Sequence, residues 1–404
     1  MQEMANALLA TLIALVLAYL LSALFKHFSL PRVIGQIMAG IILGIPIAKS
    51  MLFTDEISSA FSFITNIGII LLFFFVGLEI SPAQFKKNFK ETSLIAVFNT
   101  LLPLIAGFFI SKYLFGFNNI TSLIIGISLS VSSQAISLDI LEEIKLLKSR
   151  IGNLIITSGA VDDVFESLLI SFLLVAFQTT ALGQASFQKL MIDIIGFVLI
   201  VIMIRLLLIP FALRTFEKEK SQAALFMGAL IIVLFMAYIS ELFGVGSLIG
   251  ALIAGILVRQ TLITGEDRKP WRKNELSHSI HIISFGFLIP IFFVNVGLNM
   301  DISTLSSNLF LVFVLIIVSI LGTLIGTVIG VLFSKGTLTE GLIVGWGVIP
   351  KGDTELVIAT LALNKGLINI EIFTVIITVA LFSTFLAPIA FRILIKKHSE
   401  IINK

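Results

Sequence analysis

The sequence predicts an all-α polytopic membrane protein with thirteen transmembrane helices, arranged as two inverted-topology sets of six joined by a linker span (6+1+6). Three observations predict it. Of the 404 residues, 58% are hydrophobic and only 13% charged, whereas a soluble domain carries about 25% charged residues. Apolar stretches long enough to cross about 30 Å of hydrocarbon recur along the whole chain. The Lys and Arg residues between those stretches fall almost entirely on alternate connections, as the positive-inside rule requires of a multi-pass chain. This composition excludes a water-soluble enzyme, a nucleic-acid binder and a disordered chain. With no Cys, a secreted disulfide scaffold is excluded too.

Taken in order, the spans lie near 4–25, 30–48, 60–80, 92–114, 119–141, 151–177, 188–213, 221–241, 244–262, 276–298, 304–333, 339–363 and 370–395. The first, Met4 to Phe25, is longer than a signal-peptide core of about 7–15 residues, and no small-residue cleavage site follows it, so it reads as a retained span. No connection is long enough to form a second domain. The longest polar one, Thr264 to Ser277, is rich in Lys and Arg. The chain therefore reads as one membrane domain, 1–404, with no soluble regulatory domain. Twenty-one Lys and Arg residues lie on one set of alternate connections, and four, Lys49, Lys112, Lys189 and Lys365, on the other. That asymmetry places the N-terminus outside and the C-terminus in the cytoplasm, in a cell's inner (plasma) membrane. The remaining two, Arg205 and Lys351, lie further inside spans. Arg205 is near the inner end of its helix, where a long side chain snorkels to the headgroups; Lys351 is too deep to do so.

The fifth span of each set is broken. Span five carries five Ser and one Gln, Gln134, between Ser128 and Ser137. Helical Ser can bond back to its own backbone, giving a continuous polar-lined helix; alternatively the helix unwinds and its backbone groups line a cavity. Span twelve holds Pro350-Lys351-Gly352-Asp353 and then Glu355 at the centre of a run of Val, Ile, Leu and Ala. Each such charge costs about 2.5–3.5 kcal/mol on insertion scales, so this is either an interrupted span or a short re-entrant segment with a loop at the surface. Interruptions at matching places in two halves point to a transport site at mid-membrane. There Lys351, Asp353 and Glu355 would compensate helix ends of opposite partial charge.

Span six carries Asp162, Asp163 and Glu166. Asp163 is about 18 Å into its helix at 1.5 Å per residue, the depth of Lys351 and of the Ser cluster. Adjacent helical residues point about 100° apart, so the two Asp side chains serve different directions, and Glu166 shares a face with both. One lysine cannot pair with all these acids.

At these residues the sequence resembles the monovalent cation:proton antiporter-2 family, the Kef/NapA-type sodium or potassium/proton antiporters. The pieces are Leu30 to Gly44, Phe73 to Glu79, Ser132-Ser133, Asp162-Asp163, Pro290 to Leu298 and Val348 to Ala359, in order through nearly the whole chain. The resemblance implies the sodium/proton antiporter fold with two crossing broken helices. It implies a homodimer in which a core, roughly 92–177 and 304–395, moves against a fixed dimerisation subdomain. It implies Asp163 as the main ligand of Na⁺ or K⁺, and Asp162 as the acid that separates electrogenic from electroneutral members. Relatives with the acid pair carry a lysine in span eleven that pairs with the first acid; here that place is Thr323, a departure that leaves Asp162 without its usual partner. Glu355 and Glu166 have no counterpart in the pattern.

The function expected is secondary active exchange of Na⁺ or K⁺ for protons by alternating access, with no enzymatic activity and no cofactor. A cation stabilises the charged form of a midplane carboxyl group and displaces its proton. The ion-binding candidates are Asp163, Asp162, Ser132 and Ser133, with Glu166, Gln134 and Thr323 around them. Asn295 and Asn299 serve either as further ligands or as span-end caps. The partners are the cation, the proton, the bilayer and a second copy of the chain. A sodium-coupled carrier for an organic anion shares the broken-helix architecture but needs an anion pocket, and Lys351 is the only midplane cation. A potassium efflux channel needs a continuous polar path, and no span shows a polar stripe along its full length. His27, His278, His281 and His398 lie at membrane edges or in loops, which gives no metal centre.

Overall fold

The computed structural model describes residues 2–79, 89–133, 137, 141, 146, 149–159, 161–162, 165–166, 169, 185–208, 222–243, 245–260 and 278–398. Among these residues the secondary structure is entirely helical. The chain divides into two compact units, Met1–Ile57 with Pro82–Glu166 and Phe293–Lys404, and Ser58–Ser81 with Ser167–Phe292.

In the first unit, α1 (Gln2–His27) is a 26-residue apolar helix, with Leu8, Leu12, Tyr19 and Leu20 exposed, as on a surface facing lipid. It turns through Ser29 at φ 56 into α2 (Arg32–Leu43). Span two is not straight: α2 stops before Gly44, and α3 (Pro46–Leu52) leaves at an 84° bend. Pro46 sits in the first turn of α3, where its missing N–H costs nothing. Small residues bring α2 against α10 (Ile289–Leu298). A Cβ on Gly40 would lie 2.0 Å from the Val294 carbonyl oxygen, and one on Gly297 would lie 2.2 Å from that of Ile37. Only hydrogen at both positions permits this backbone approach.

The same device builds the centre of the unit. α11 (Leu309–Phe333) presents Gly322, Gly326 and Gly330 to α5 (Phe89–Tyr113), and these meet Pro103, Phe98 with Asn99, and Ile95 in turn. The order runs backwards along α5, so the two helices are antiparallel in close backbone contact. α6 (Asn119–Ser130) starts on Asn118, whose side chain accepts from the Thr121 N–H. α12 (Leu338–Val348) starts on a capping box between Thr337 and Glu340. After a break, α13 (Asp353–Asn364) follows, then α14 (Ile370–Lys397), capped by Asn369. Residues 150–159 are also helical. Arg150 at their start lies 3.8 Å from Glu91 and 3.6 Å from Glu340, a solvated cluster that contributes little to stability.

In the second unit, α4 (Asp55–Glu79) packs its C-terminal half on α9 (Ser247–Val258). Gly77 lies under the Leu252 carbonyl and Gly255 under that of Phe74. Arg259, buried, donates through Nη1 to the Leu78 carbonyl oxygen. α8 (Gln222–Leu242) turns into α9 through Gly246 at φ 98, a conformation that glycine adopts without strain. α7 (Ala185–Met203) runs on into a π-helical turn that carries Arg205. His281, exposed, stacks on Phe285 and meets the edge of Phe75. Seven helices are long and apolar enough to cross a membrane among the described residues, or eight with the bent pair α2–α3 counted as one span. The protein is an all-helical, polytopic membrane protein.

Candidate functional site

The site lies inside the first unit, where two helices stop. α6 ends at Ser130, whose hydroxyl donates back to the Ile127 carbonyl. Val131 then turns to extended backbone at φ −71, ψ 140, and residues 131–133 are not helical. The Ser cluster thus unwinds the helix rather than merely lining it. The second stop is in span twelve. Pro350 has no N–H to continue α12, and Ile349, Pro350, Lys351 and Gly352 are all buried before α13 begins. The interruption is therefore internal, not a surface loop.

The two interruptions meet and satisfy each other's backbone. The Ser133 N–H donates to the Pro350 carbonyl at 2.7 Å, and the Ser137 hydroxyl donates to the Gly347 carbonyl at 2.6 Å. Thr384 of α14 closes the third side: the Lys351 N–H donates to its Oγ1 at 2.9 Å, and its hydroxyl donates to the Lys351 carbonyl. Lys351 Nζ donates to the Leu129 carbonyl at 2.8 Å. That places a positive charge on the carbonyl end of α6, the negative end of its dipole. A lysine 1% exposed is tolerable here because it caps a helix end and faces three acids, Glu355, Asp162 and Glu166, within electrostatic reach.

Asp162 is held from two sides. Its Oδ2 accepts from Asn99 Nδ2 at 3.0 Å and from the Ser132 hydroxyl, and its Oδ1 meets the Thr100 hydroxyl. The Thr100 hydroxyl also lies 2.8 Å from the Ala96 carbonyl. It has one proton to give. It either donates to a carboxylate at Asp162 or donates to Ala96 and accepts from a carboxylic acid there, so the pocket accommodates both forms. Glu166 Oε1 accepts from the Ser132 N–H at 2.6 Å, covering a backbone donor freed by the break. Glu355 is 0% exposed, and neither of its carboxyl oxygens has a hydrogen-bond partner among the described residues. Thr323 is buried with its hydroxyl unpartnered among the described residues; it is not placed against Asp162 by any hydrogen bond.

The structure thus brings Asp162, Ser132, Ser133, Lys351, Glu355 and Glu166 into one region. Asp163 and Gln134 lie outside the described residues, as does the side chain of Asp353, whose backbone opens α13. Asn295 and Asn299 bond locally, Asn299 Nδ2 to the Asn295 carbonyl at 2.9 Å, the arrangement of a helix-end cap. The sequence reading missed Asn99 and Thr100. Their signal was present: adjacent polar residues about three turns from either end of α5, inside an apolar span. Chemically, the region offers oxygen ligands at Asp162, Ser132 and the Leu129 carbonyl, a hard set suited to an alkali cation, beside groups that exchange protons.

The sequence profile of the sodium/hydrogen exchanger, transmembrane, family matches residues 12–397. The Na⁺/H⁺ antiporter of Enterococcus hirae is 30% identical over 93% of this chain and 94% of its own. The Na⁺/H⁺-K⁺ antiporter GerN of Bacillus cereus is 26% identical over 89% of this chain and 88% of its own. The structure of the sodium proton antiporter MjNhaP1 from Methanocaldococcus jannaschii superposes with a TM-score of 0.69, at 17% identity, covering 100% of this chain and 98% of that one.

Proposed function

This chain belongs to the sodium/hydrogen exchanger family, and we propose that it exchanges Na⁺ or K⁺ for protons by alternating access at the point where its two interrupted helices meet. The family makes it a monovalent cation:proton antiporter of the membrane, not an enzyme. The observation that carries the site is the buried contact between the breaks, with Asp162 held by Asn99, Thr100 and Ser132 beside the Lys351-capped end of α6. Unwound backbone at membrane depth is tolerated only where it is buried in protein or lines a cavity, and helix ends there supply ligands without net charge.

In this reading Asp163 is the main cation ligand and Asp162 a second site carboxylate, with Ser132 and Ser133 supplying oxygens. Lys351 and Asp353 compensate the helix ends. A cation entering from one side stabilises the carboxylate and releases its proton to that side; the occupied site moves, and a proton replaces the cation on the other side. Thr100 keeps a partner for Asp162 in both states, which lowers the cost of that change. The buried Lys351 ammonium is on the Leu129 carbonyl and surrounded by the acids Glu355, Asp162 and Glu166, which argues against a site for an organic anion.

The reading extends to the whole chain: thirteen spans in inverted sets around a linker, the two breaks crossing at mid-membrane, and a core near 92–177 and 304–395 moving against a dimerisation subdomain in a homodimer. The N-terminus lies outside and the C-terminus in the cytoplasm of the inner membrane. The relatives include a Na⁺/H⁺ antiporter and a Na⁺/H⁺-K⁺ antiporter, and both cations are expected substrates. The experiment is proton efflux from proteoliposomes on addition of Na⁺, K⁺ or Li⁺, with and without a clamped membrane potential. Alkalinisation of the lumen driven by at least one cation is expected; an unresponsive, correctly inserted protein contradicts the reading.

A further inference from the structure

Among the described buried acids that face Lys351, Glu355 is the one with neither a hydrogen bond nor a place in the exchange reading. It lies near the start of α13, 0% exposed, with no hydrogen bond to either carboxyl oxygen among the described residues. No ion pair within 4.0 Å joins it to Lys351, although the two face each other electrostatically. A fixed carboxylate in that setting carries a desolvation cost of several kcal/mol, with no hydrogen bond among the described residues to offset it. A neutral group of that size would not need to be an acid. The nearest cation, Lys351, is turned the other way, onto the Leu129 carbonyl. That carbonyl belongs to the end of α6, three residues before the Ser132 whose hydroxyl reaches Asp162.

We propose that Glu355 is a proton-carrying group of the exchange cycle, coupled to the cation by Lys351, which exchanges the Leu129 carbonyl for the Glu355 carboxylate when a cation binds. In the state seen here the Lys351 ammonium occupies the Leu129 carbonyl and Glu355 holds its proton. When the cation arrives, it takes the Leu129 carbonyl as a ligand in place of the ammonium. Lys351 turns to Glu355, whose O–H bond breaks; the proton leaves to the open side and the electron pair stays on the carboxylate, now paired with Lys351. This proton leaves in addition to the one released at the aspartate site, so each cation that enters displaces two protons. The lysine's side chain is the moving part: here it is on the Leu129 carbonyl and makes no ion pair within 4.0 Å with Glu355. Among the described residues the charged group that bears on Glu355 is Lys351; on its own helix the nearest titratable residue in sequence is Asp353. α6, which packs on α13, contributes none, and the titratable residues of α14, Glu371, Arg392, Lys396 and Lys397, sit near its ends, away from Thr384 at the break. Lys351 in turn faces Asp162 and Glu166.

This rests on the exchange reading, and the test separates the two. Full-length protein is placed in weakly buffered solution, and protons released per cation bound are counted on titration with NaCl and with KCl. Wild type that binds neither cation, or binds one with no proton release, sinks the exchange reading itself. With wild-type release established, Glu355→Gln, an uncharged mimic of the acid, is expected to release one proton fewer per cation. It is also expected to bind about tenfold more weakly, about 1.4 kcal/mol, because Lys351 stays on Leu129. Unchanged release and affinity in that variant overturn the proposal. If Glu355→Gln binds no cation or fails to fold, Glu355→Asp decides. Proton release restored to the wild-type count supports the proposal, and release that is not restored overturns it.

Discussion

Buried charge decides most of what happens at single residues here. Removing the Lys351 ammonium leaves the carbonyl end of α6 uncapped and the acids around it uncompensated. Lys351→Ala is therefore expected to lower stability by about 3 kcal/mol, the scale for breaking a buried charge pair; thermal unfolding in detergent checks it, and an unchanged Tm contradicts the capping role. Asp162→Asn tests charge without shape. The amide oxygen can take the place of Oδ2, accepting from Asn99 and Ser132, while its NH₂ faces Thr100, which can accept and still donate to Ala96. The variant should fold with Tm nearly unchanged yet bind the cation about tenfold more weakly, about 1.4 kcal/mol, by calorimetric titration. Wild-type affinity and an unchanged proton-to-cation ratio would remove Asp162 from the site. That Asp162, Lys351 and Ser132 are candidates was legible in the sequence, because a charge or a Ser cluster amid apolar residues stands out by composition alone. The partners were not. Asn99 and Thr100 are 62 or more residues from Asp162 in sequence, and only the tertiary fold brings them there.

At the scale of elements, breaks were easier to read than bends. Pro350 and Gly352 announced the interruption of span twelve by chemistry, since proline cannot donate to the helix ladder. The Ser-rich run of span five left two conformations open, and the hydrogen bond from Ser133 to Pro350 decided between them. The bend between α2 and α3 was overlooked although Gly44 and Pro46 flank it, because the whole stretch is apolar enough to pass for one straight span. Helix packing was not legible at all: Gly322, Gly326 and Gly330 mark a face, but not which helix fills it. A Cβ at Gly326 would lie 2.2 Å from the Phe98 carbonyl oxygen, so Gly326→Ala must push α5 away, at a cost of about 1–3 kcal/mol. Since α5 carries Asn99 and Thr100, exchange should fall together with Tm. Gly286→Ala, with nothing within 4 Å, is the control expected to change neither.

For the whole molecule, the alternation of Lys and Arg is a statement about insertion, and it makes a prediction that packing does not influence. The chain has no Cys, so single cysteines introduced into it report sidedness directly. A cysteine replacing Ser50 should react with a membrane-impermeant thiol reagent added outside intact cells, and one replacing Lys335 only after the inner face is opened; the reverse pattern contradicts the orientation. The central claim is that a midplane aspartate site exchanges cations for protons, and the most direct test is cation-driven proton efflux from proteoliposomes, wild type against Asp163→Asn at equal, correctly inserted amounts. The account predicts alkalinisation of the wild-type lumen on adding Na⁺ or K⁺ and none above protein-free liposomes with the variant; wild-type rates in Asp163→Asn would contradict it.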